Sequence, residues 1–198
     1  LGLTFITVQA LGQSEPKSSE FEHWEGISLS YKVNKKFEIS FNTQSRWETD
    51  PSSLNVLFLE LEPEYELFDD MSISGGYRFS TDIEKNRNRL YLQLEPDTKL
   101  TDDLDLDMRL RYDYNWRGSR EDKQLRMRMR PEYDFGKTEV FLFAELFLED
   151  GRQREKTRYA IGYQYKFNKS NMVDLRAMVD AEEEENVWII SMVYKVDF

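Results

Sequence analysis

Leu104-Asp-Leu-Asp-Met108-Arg-Leu-Arg-Tyr112-Asp-Tyr-Asn-Trp116 sorts its side chains with a period of two. Leu104, Leu106, Met108, Leu110, Tyr112, Tyr114 and Trp116 share one face, while Asp105, Asp107, Arg109, Arg111, Asp113 and Asn115 share the other. A helix, with about 3.6 residues per turn, cannot separate that pattern; a strand does so because successive side chains point to opposite faces. The next segment repeats the rule, with Leu125, Met127, Met129, Pro131, Tyr133 and Phe135 against Arg126, Arg128, Arg130, Glu132 and Asp134.

Extended outward from this stretch, the alternation predicts eleven strands, at 21–33, 37–47, 54–66, 71–80, 87–100, 104–116, 123–135, 138–149, 157–167, 171–181 and 187–198. Soluble strands run about five or six residues, whereas a tilted strand crossing a bilayer needs roughly nine to eleven, so these lengths favour a membrane wall. Tight turns at 34–36, 68–70, 101–103, 136–137 and 168–170 alternate with longer charged links at 48–53, 81–86, 117–122, 150–156 and 182–186. Short periplasmic turns and longer outer loops characterise outer-membrane barrels. Aromatic residues close the apolar stripes, Tyr112, Tyr114 and Trp116 at one rim and Tyr133 with Phe135 at the other, where amphipathic rings suit lipid headgroups.

The expected fold is therefore all-β, a transmembrane antiparallel up-and-down β-barrel of about 10–12 strands. Bacterial single-chain barrels normally have even strand numbers. Eleven segments thus imply a twelfth strand before Phe21, or ten strands with 138–149 or 171–181 wrongly divided, or an N-terminal segment threading the lumen.

Composition is consistent with that reading and excludes several others. The 198 residues suit one unit, and the mean hydropathy of −0.72 does not argue against a barrel, whose strands need apolar residues only at alternate positions. A net charge of −11 supplies no basic footprint for nucleic acid. With no cysteine there is no disulfide scaffold, thiolate metal site or Cys nucleophile. Residues 1–13, an apolar run with small residues at Val8, Ala10 and Gly12, read as the remnant of a secretory signal, with the mature chain starting near Leu11 to Ser14; an ordinary first strand from Thr4 to Val8 is the competing reading. Residues 14–198 then form a single barrel domain. The closing strand carries Tyr194 and a terminal Phe198, the pattern of a C-terminal signal for the barrel-assembly machinery.

Several short motifs occur in a set order. They are Trp24, Asn34-Lys-Lys-Phe37, Gly76-Tyr77-Arg78, Arg87-Asn-Arg89, Arg109-Leu-Arg111, Leu125-Arg-Met-Arg128 with Glu132, Glu145, and Arg158-Tyr-Ala-Ile-Gly162-Tyr163. Over roughly residues 20–198 they resemble the outer-membrane barrels of the Bacteroidota type grouped as domain of unknown function 2490. The resemblance implies the fold and brings no activity or catalytic residues with it.

Laid alternately down and up, the strands give a charge-layered lumen. Arg46, Arg78, Arg87, Arg89, Arg126, Arg128 and Arg158 fall toward the outer half, with Arg109, Arg111, Arg130 and Arg176 near the middle. Glu38, Glu62, Glu64, Glu95, Asp105, Asp107, Glu132, Asp134 and Glu139 fall toward the periplasmic half. A guanidinium ring near the mouth would attract carboxylate or phosphate solutes by bidentate hydrogen bonds. The competing reading, which ranks first, is a lumen packed shut by opposite charges paired across strands.

Other candidates are weaker. Glu60, Glu62, Glu64 and Glu66 line one face and could hold Ca²⁺, though such a row more often faces arginines, here Arg46 or Arg78. Glu182 to Glu185 is read as a solvated loop cluster, with divalent bridging to lipopolysaccharide the minor alternative. His23, the sole histidine, would have to carry any Ser-His chemistry with Ser28 or Ser30, and no motif marks them. Gly75-Gly76-Tyr77 lacks the helix of a phosphate loop and reads as glycines relieving crowding.

The sequence thus points to a non-enzymatic protein of the Gram-negative outer membrane, without metal or cofactor. Its role is either a small, anion-preferring channel or an accessory subunit that docks through its wall, or through Arg117, Arg120, Arg152, Arg154 and Glu182 to Glu185, onto a larger transport or secretion complex. Expected partners are outer-membrane lipid, the barrel-assembly machinery and such a complex, and not nucleic acid. A soluble lipocalin-like barrel, with apolar residues turned inward, is the alternative.

Overall fold

A computed structural model describes residues 18–48, 54–82, 86–149, 153–182 and 185–198, which form eleven strands closed into one barrel. In chain order these are β1 (Ser18–Lys32), β2 (Phe37–Trp47), β3 (Leu54–Phe68), β4 (Met71–Asp82), β5 (Asn86–Lys99), β6 (Leu104–Arg117), β7 (Arg120–Asp134), β8 (Thr138–Glu149), β9 (Gln153–Asn168), β10 (Asn171–Ala181) and β11 (Glu185–Asp197). The signal segment, its cleavage point and any lumen-threading N-terminus lie outside the described residues.

Each strand pairs antiparallel with its neighbours in sequence, and β1 closes the ring on β11 in parallel, from Ser18 opposite Glu185 to Ser30 opposite Asp197. The expectation of an even count is corrected here. An odd number of alternating strands leaves the first and last pointing the same way, and the two edges that a twelfth strand would need are already bonded to each other. Phe198 N–H donates to the Ser30 carbonyl at 2.9 Å at the end of this seam. Segments 138–149 and 171–181 are whole strands.

Four of the five charged links are shorter than the charge runs suggested, because strands continue through residues whose polarity resembled that of loops; the fifth, at 48–53, agrees with β2 ending at Trp47 and β3 beginning at Leu54. The link expected at 117–122 is a two-residue turn, Gly118-Ser119, with Arg117 opposite Arg120. Gly118 takes φ 62°, a conformation that glycine adopts at little cost. Likewise β4 runs on to Asp82 and β5 begins at Asn86, β9 begins at Gln153, and β11 begins at Glu185.

Burial alternates along the strands with the sequence period. Leu59, Leu61, Leu90, Leu92, Met129, Leu142, Ile161 and Ile190 are exposed on the outer wall, while Asp113, Glu145 and Asp174 are sealed inside. The apolar stripes that alternate with charge therefore face out, the reverse of a lipocalin-like carrier. Two glycines serve the interior. Gly76 lies opposite Tyr91 and Gly162 opposite Phe141, and in each case the ring occupies the space that a Cβ would need. The aromatic ring covers the bare backbone, a device that fixes register in curved sheets.

Candidate functional site

Interior charge is graded along the barrel axis. The turns at 33–36, 69–70, 100–103, 135–137 and 169–170 define one end, here the turn end, and the opposite end is the loop end. Toward the loop end lies a cavity of about 440 Å³. Ten arginines (46, 78, 87, 89, 109, 111, 126, 128, 158 and 176) and Lys156 line it, against three carboxylates, those of Asp82, Asp122 and Glu145. In a chain of charge −11 the lining itself is cationic, with Glu60, Asp113, Asp174 and Asp180 pairing with several of these side chains from behind it.

The arginines are held by two kinds of neighbour. Carboxylates hold the first group. Asp113, with no exposed surface, accepts from Arg111 Nε at 2.6 Å and lies 3.5 Å from both Arg89 and Arg126. Glu145 accepts from Arg109 at 2.6 Å and from Arg126 at 2.9 Å, Glu60 takes Arg78 at 2.6 Å, and Asp180 takes Arg158 at 2.5 Å and Lys156 at 2.8 Å. Asp174 binds Arg176 at 2.6 Å and Lys195 at 3.0 Å.

Aromatic faces hold a second group, which overlaps the first at Arg78, Arg111 and Arg126. Arg46 lies 3.9 Å over Trp24, Arg78 4.0 Å over Phe58, Arg111 3.5 Å over Tyr91, Arg126 4.6 Å over Phe147 and Arg130 4.1 Å over Phe141. Stacking fixes the guanidinium plane while leaving N–H edges to point elsewhere. Among the described residues Arg46 has no carboxylate within ion-pair distance; its Nε donates to Gln44 at 3.2 Å. Arg87 is exposed at the cavity's loop-end margin.

Toward the turn end the sign reverses. Glu62, Glu64 and Glu95 bring carboxylate oxygens within 4.8 Å of one another. Glu62 accepts from Ser74, Tyr91 and Gln93, each at 2.7 Å, so donors from the wall already satisfy it. Arg128 bridges Asp107 at 2.7 Å and Glu95 at 3.5 Å. Glu132 is bonded by Arg130 and Glu139 by Lys166, while Asp134 accepts from the Gly136 N–H. Asp105 faces in with one buried oxygen unpartnered. Of the Glu60 to Glu66 row, Glu60 belongs to Arg78 rather than Arg46, and the rest join this acidic layer.

The remaining candidates do not converge. His23 stacks on Trp47 at 5.9 Å on the outer wall, whereas Ser28 and Ser30 turn inward and Ser30 pairs with Ser40 at 2.8 Å. Tyr194 is outward and donates to Asn171 at 2.7 Å; Phe198 is exposed. Glu182 lies 3.7 Å from Lys156, while Glu183, Glu184 and Arg152 are outside the described residues. At the loop end, above the apolar band, the neighbouring Glu185 foremost, then slight burial and Glu48, raises the pKa of the Glu20 carboxyl.

Sequence reasoning missed the inward aromatics Trp24, Phe58, Tyr91, Phe141, Phe143 and Phe147, and did not place Asp174 or Asp180 in the lumen. With Ala160, Met178 and Ile189, the residues Trp24, Phe141 and Phe143 form an apolar cluster inside the barrel. Parity carried the signal. Glu139 and Glu145 share parity with the three β8 phenylalanines, and a carboxylate is poorly placed facing lipid.

Comparison with known proteins supports this architecture. A family described as "Protein of unknown function (DUF2490)" matches residues 21–189. Among solved structures, a "KdgM porin" is 20% identical with a TM-score of 0.50, covering 76% of this chain and 80% of the other. A "NanC porin" is 15% identical with a TM-score of 0.56, covering 81% of each. A "KdgM porin in complex with disordered oligogalacturonate" is 18% identical with a TM-score of 0.52, covering 80% and 84%. At these identities the likeness concerns the fold, which is porin-like. No curated protein matches the sequence.

Proposed function

The chain belongs to the DUF2490 family, and from that premise we propose that it is an integral outer-membrane barrel conducting small anionic solutes. The observation that carries this reading is the loop-end cavity, eleven cationic side chains against three carboxylates. Arginines pinned on aromatic faces present fixed N–H donors, the geometry that carboxylates and phosphates accept bidentately. The acidic layer beyond the cavity weakens retention toward the periplasmic end, and conduction requires that a solute leave as well as bind. A porin-like fold seen elsewhere with oligogalacturonate, itself a chain of carboxylates, is consistent with acidic sugars as the solute class.

No catalytic constellation enters this reading. Outer-membrane lipid contacts the apolar wall, and the barrel-assembly machinery is the partner during biogenesis. Planar-bilayer recording across a potassium chloride gradient tests the proposal. The expected reversal potential has the sign of anion preference, and short oligouronates added at the loop side should reduce current while neutral oligosaccharides do not. Cation preference would overturn it.

The dense pairing around Asp113 and Glu145 favours a second reading, an accessory subunit with its lumen packed shut, docking onto a larger envelope complex. Well-folded protein that stays electrically silent in bilayers would support that reading instead.

A further inference from the structure

Glu25 interrupts the outer wall. The outward positions of β1 are Phe21, His23, Glu25, Ile27, Leu29 and Tyr31, and the Glu25 side chain is exposed among them. Phe21 sits opposite Trp188 and His23 stacks on Trp47, which marks an aromatic rim just above it. Glu25 is thus one step inside the band that lipid is read to cover. Among the residues whose side chains are described, no other outward position between the rims carries a formal charge; Glu121 and Lys123 lie level with Trp116 and Tyr114, at the rim itself. The Glu25 backbone carbonyl accepts from Ser45 Oγ at 3.4 Å, but its carboxylate has no partner among the described residues.

A carboxylate facing hydrocarbon is costly unless donors reach it. Hydroxyl groups stand on the adjacent strand at the same height: Ser45 lies opposite Glu25, Thr43 lies opposite Ile27, and both turn outward. An acceptor on one strand and donors on the next make this pair of strands complementary to itself under a two-fold rotation about the membrane normal. An axis running between β1 and β2 sets β1 of each copy against β2 of the other and preserves height, so each Glu25 meets the hydroxyls of the second copy. Ile27, Leu29, Ile39 and Phe41 continue the same face with apolar contact. We infer that the outer wall of β1 and β2 is the interface of a homodimer within the membrane, with Glu25 seated against Ser45 and Thr43 of the second copy. The inference rests on the membrane reading above and is independent of conduction.

The chain has no cysteine, which makes cross-linking clean. Leu29→Cys copies and Phe41→Cys copies, mixed, folded into phospholipid vesicles and oxidised, should form a disulfide between unlike copies and double the apparent mass. Leu92→Cys copies, on a distant part of the wall, should remain monomeric in the same assay. Adding Glu25→Leu should abolish the cross-link while insertion is retained, since leucine suits lipid. Cross-linking at Leu92 as frequent as at the β1 and β2 positions, or yield unaffected by Glu25→Leu, overturns the interface. Insertion without any cross-link sinks the interface alone, whereas failure to enter vesicles sinks the membrane reading with it.

Discussion

The Phe141 ring on β8 lies across the backbone of Gly162 on β9, filling the space where any other residue would carry a Cβ. Tyr91 repeats the arrangement over Gly76 and also donates from its hydroxyl to Glu62 at 2.7 Å. Each ring is pinned by one bare strand position and in turn supports an arginine, Arg130 over Phe141 and Arg111 over Tyr91. Gly162→Ala should therefore displace the ring and destabilise the barrel by about 1–3 kcal/mol, the usual cost of overpacking. Denaturant titration of the lipid-folded protein measures this. Pairing Gly162→Ala with Phe141→Leu should restore part of the loss, and no change in either variant would show that the ring moves aside freely.

Asp113 is the electrostatic anchor of the cavity wall. Fully buried, it faces Arg111, Arg89 and Arg126, so its removal leaves three guanidinium groups crowded together with one counter-charge fewer. Asp113→Asn should cost about 3–5 kcal/mol, as breaking a buried pair generally does. Arg111→Met combined with Asp113→Asn should cost less than Asp113→Asn alone, since it relieves one uncompensated charge. A loss below about 1 kcal/mol in the single variant would indicate that water reaches this site and screens it.

These residues also explain what was legible beforehand. Wherever charge marked one face and apolar side chains the other, as on β6 and β7, period two fixed strand, facing and neighbours, and the charge gradient along the axis followed from the turns. On β8 both faces are apolar, Phe141, Phe143 and Phe147 inside against Leu142, Leu146 and Leu148 outside, so hydrophobicity alone carried no facing signal. Glu139 and Glu145 were the available clue. Loop lengths were overestimated because arginine and aspartate near the strand ends, such as Arg117, Arg120 and Asp82, look like loop residues yet belong to strands extending beyond the apolar band. The parallel seam was illegible because it joins the two ends of the chain, and no local pattern records a contact of that sequence separation. That Arg46 sits on Trp24 left no mark in the sequence, since the two are 22 residues apart and on different strands.

Leu110 lies on the apolar face of β6, 44% exposed on the outer wall, opposite Met127. If hydrocarbon covers that face, Leu110→Lys should lower the stability of the lipid-folded barrel by roughly 2–4 kcal/mol. Water-exposed leucine would tolerate lysine readily. Folding yield in vesicles compared with that in short-chain detergent micelles separates the two, and equal tolerance in both would count against the wall being covered by lipid.

Arg46 and Arg111 separate selectivity from structure. Both line the cavity and both stack on an aromatic ring, but Arg111 neutralises buried Asp113 while Arg46 has no ion-paired carboxylate among the described residues and keeps its charge for whatever occupies the cavity. Arg46→Gln should therefore leave the fold nearly intact, losing about 0.5–2 kcal/mol with the Trp24 contact, and should lower the anion-to-cation permeability ratio severalfold. Arg111→Gln should do the reverse in emphasis, with a large loss of stability because Asp113 keeps only its more distant arginines. Reversal potentials and denaturant midpoints, measured on the same two variants, check both halves. Unchanged selectivity in Arg46→Gln would mean that this guanidinium is packing rather than an attractor, and the channel reading would lose its most direct support.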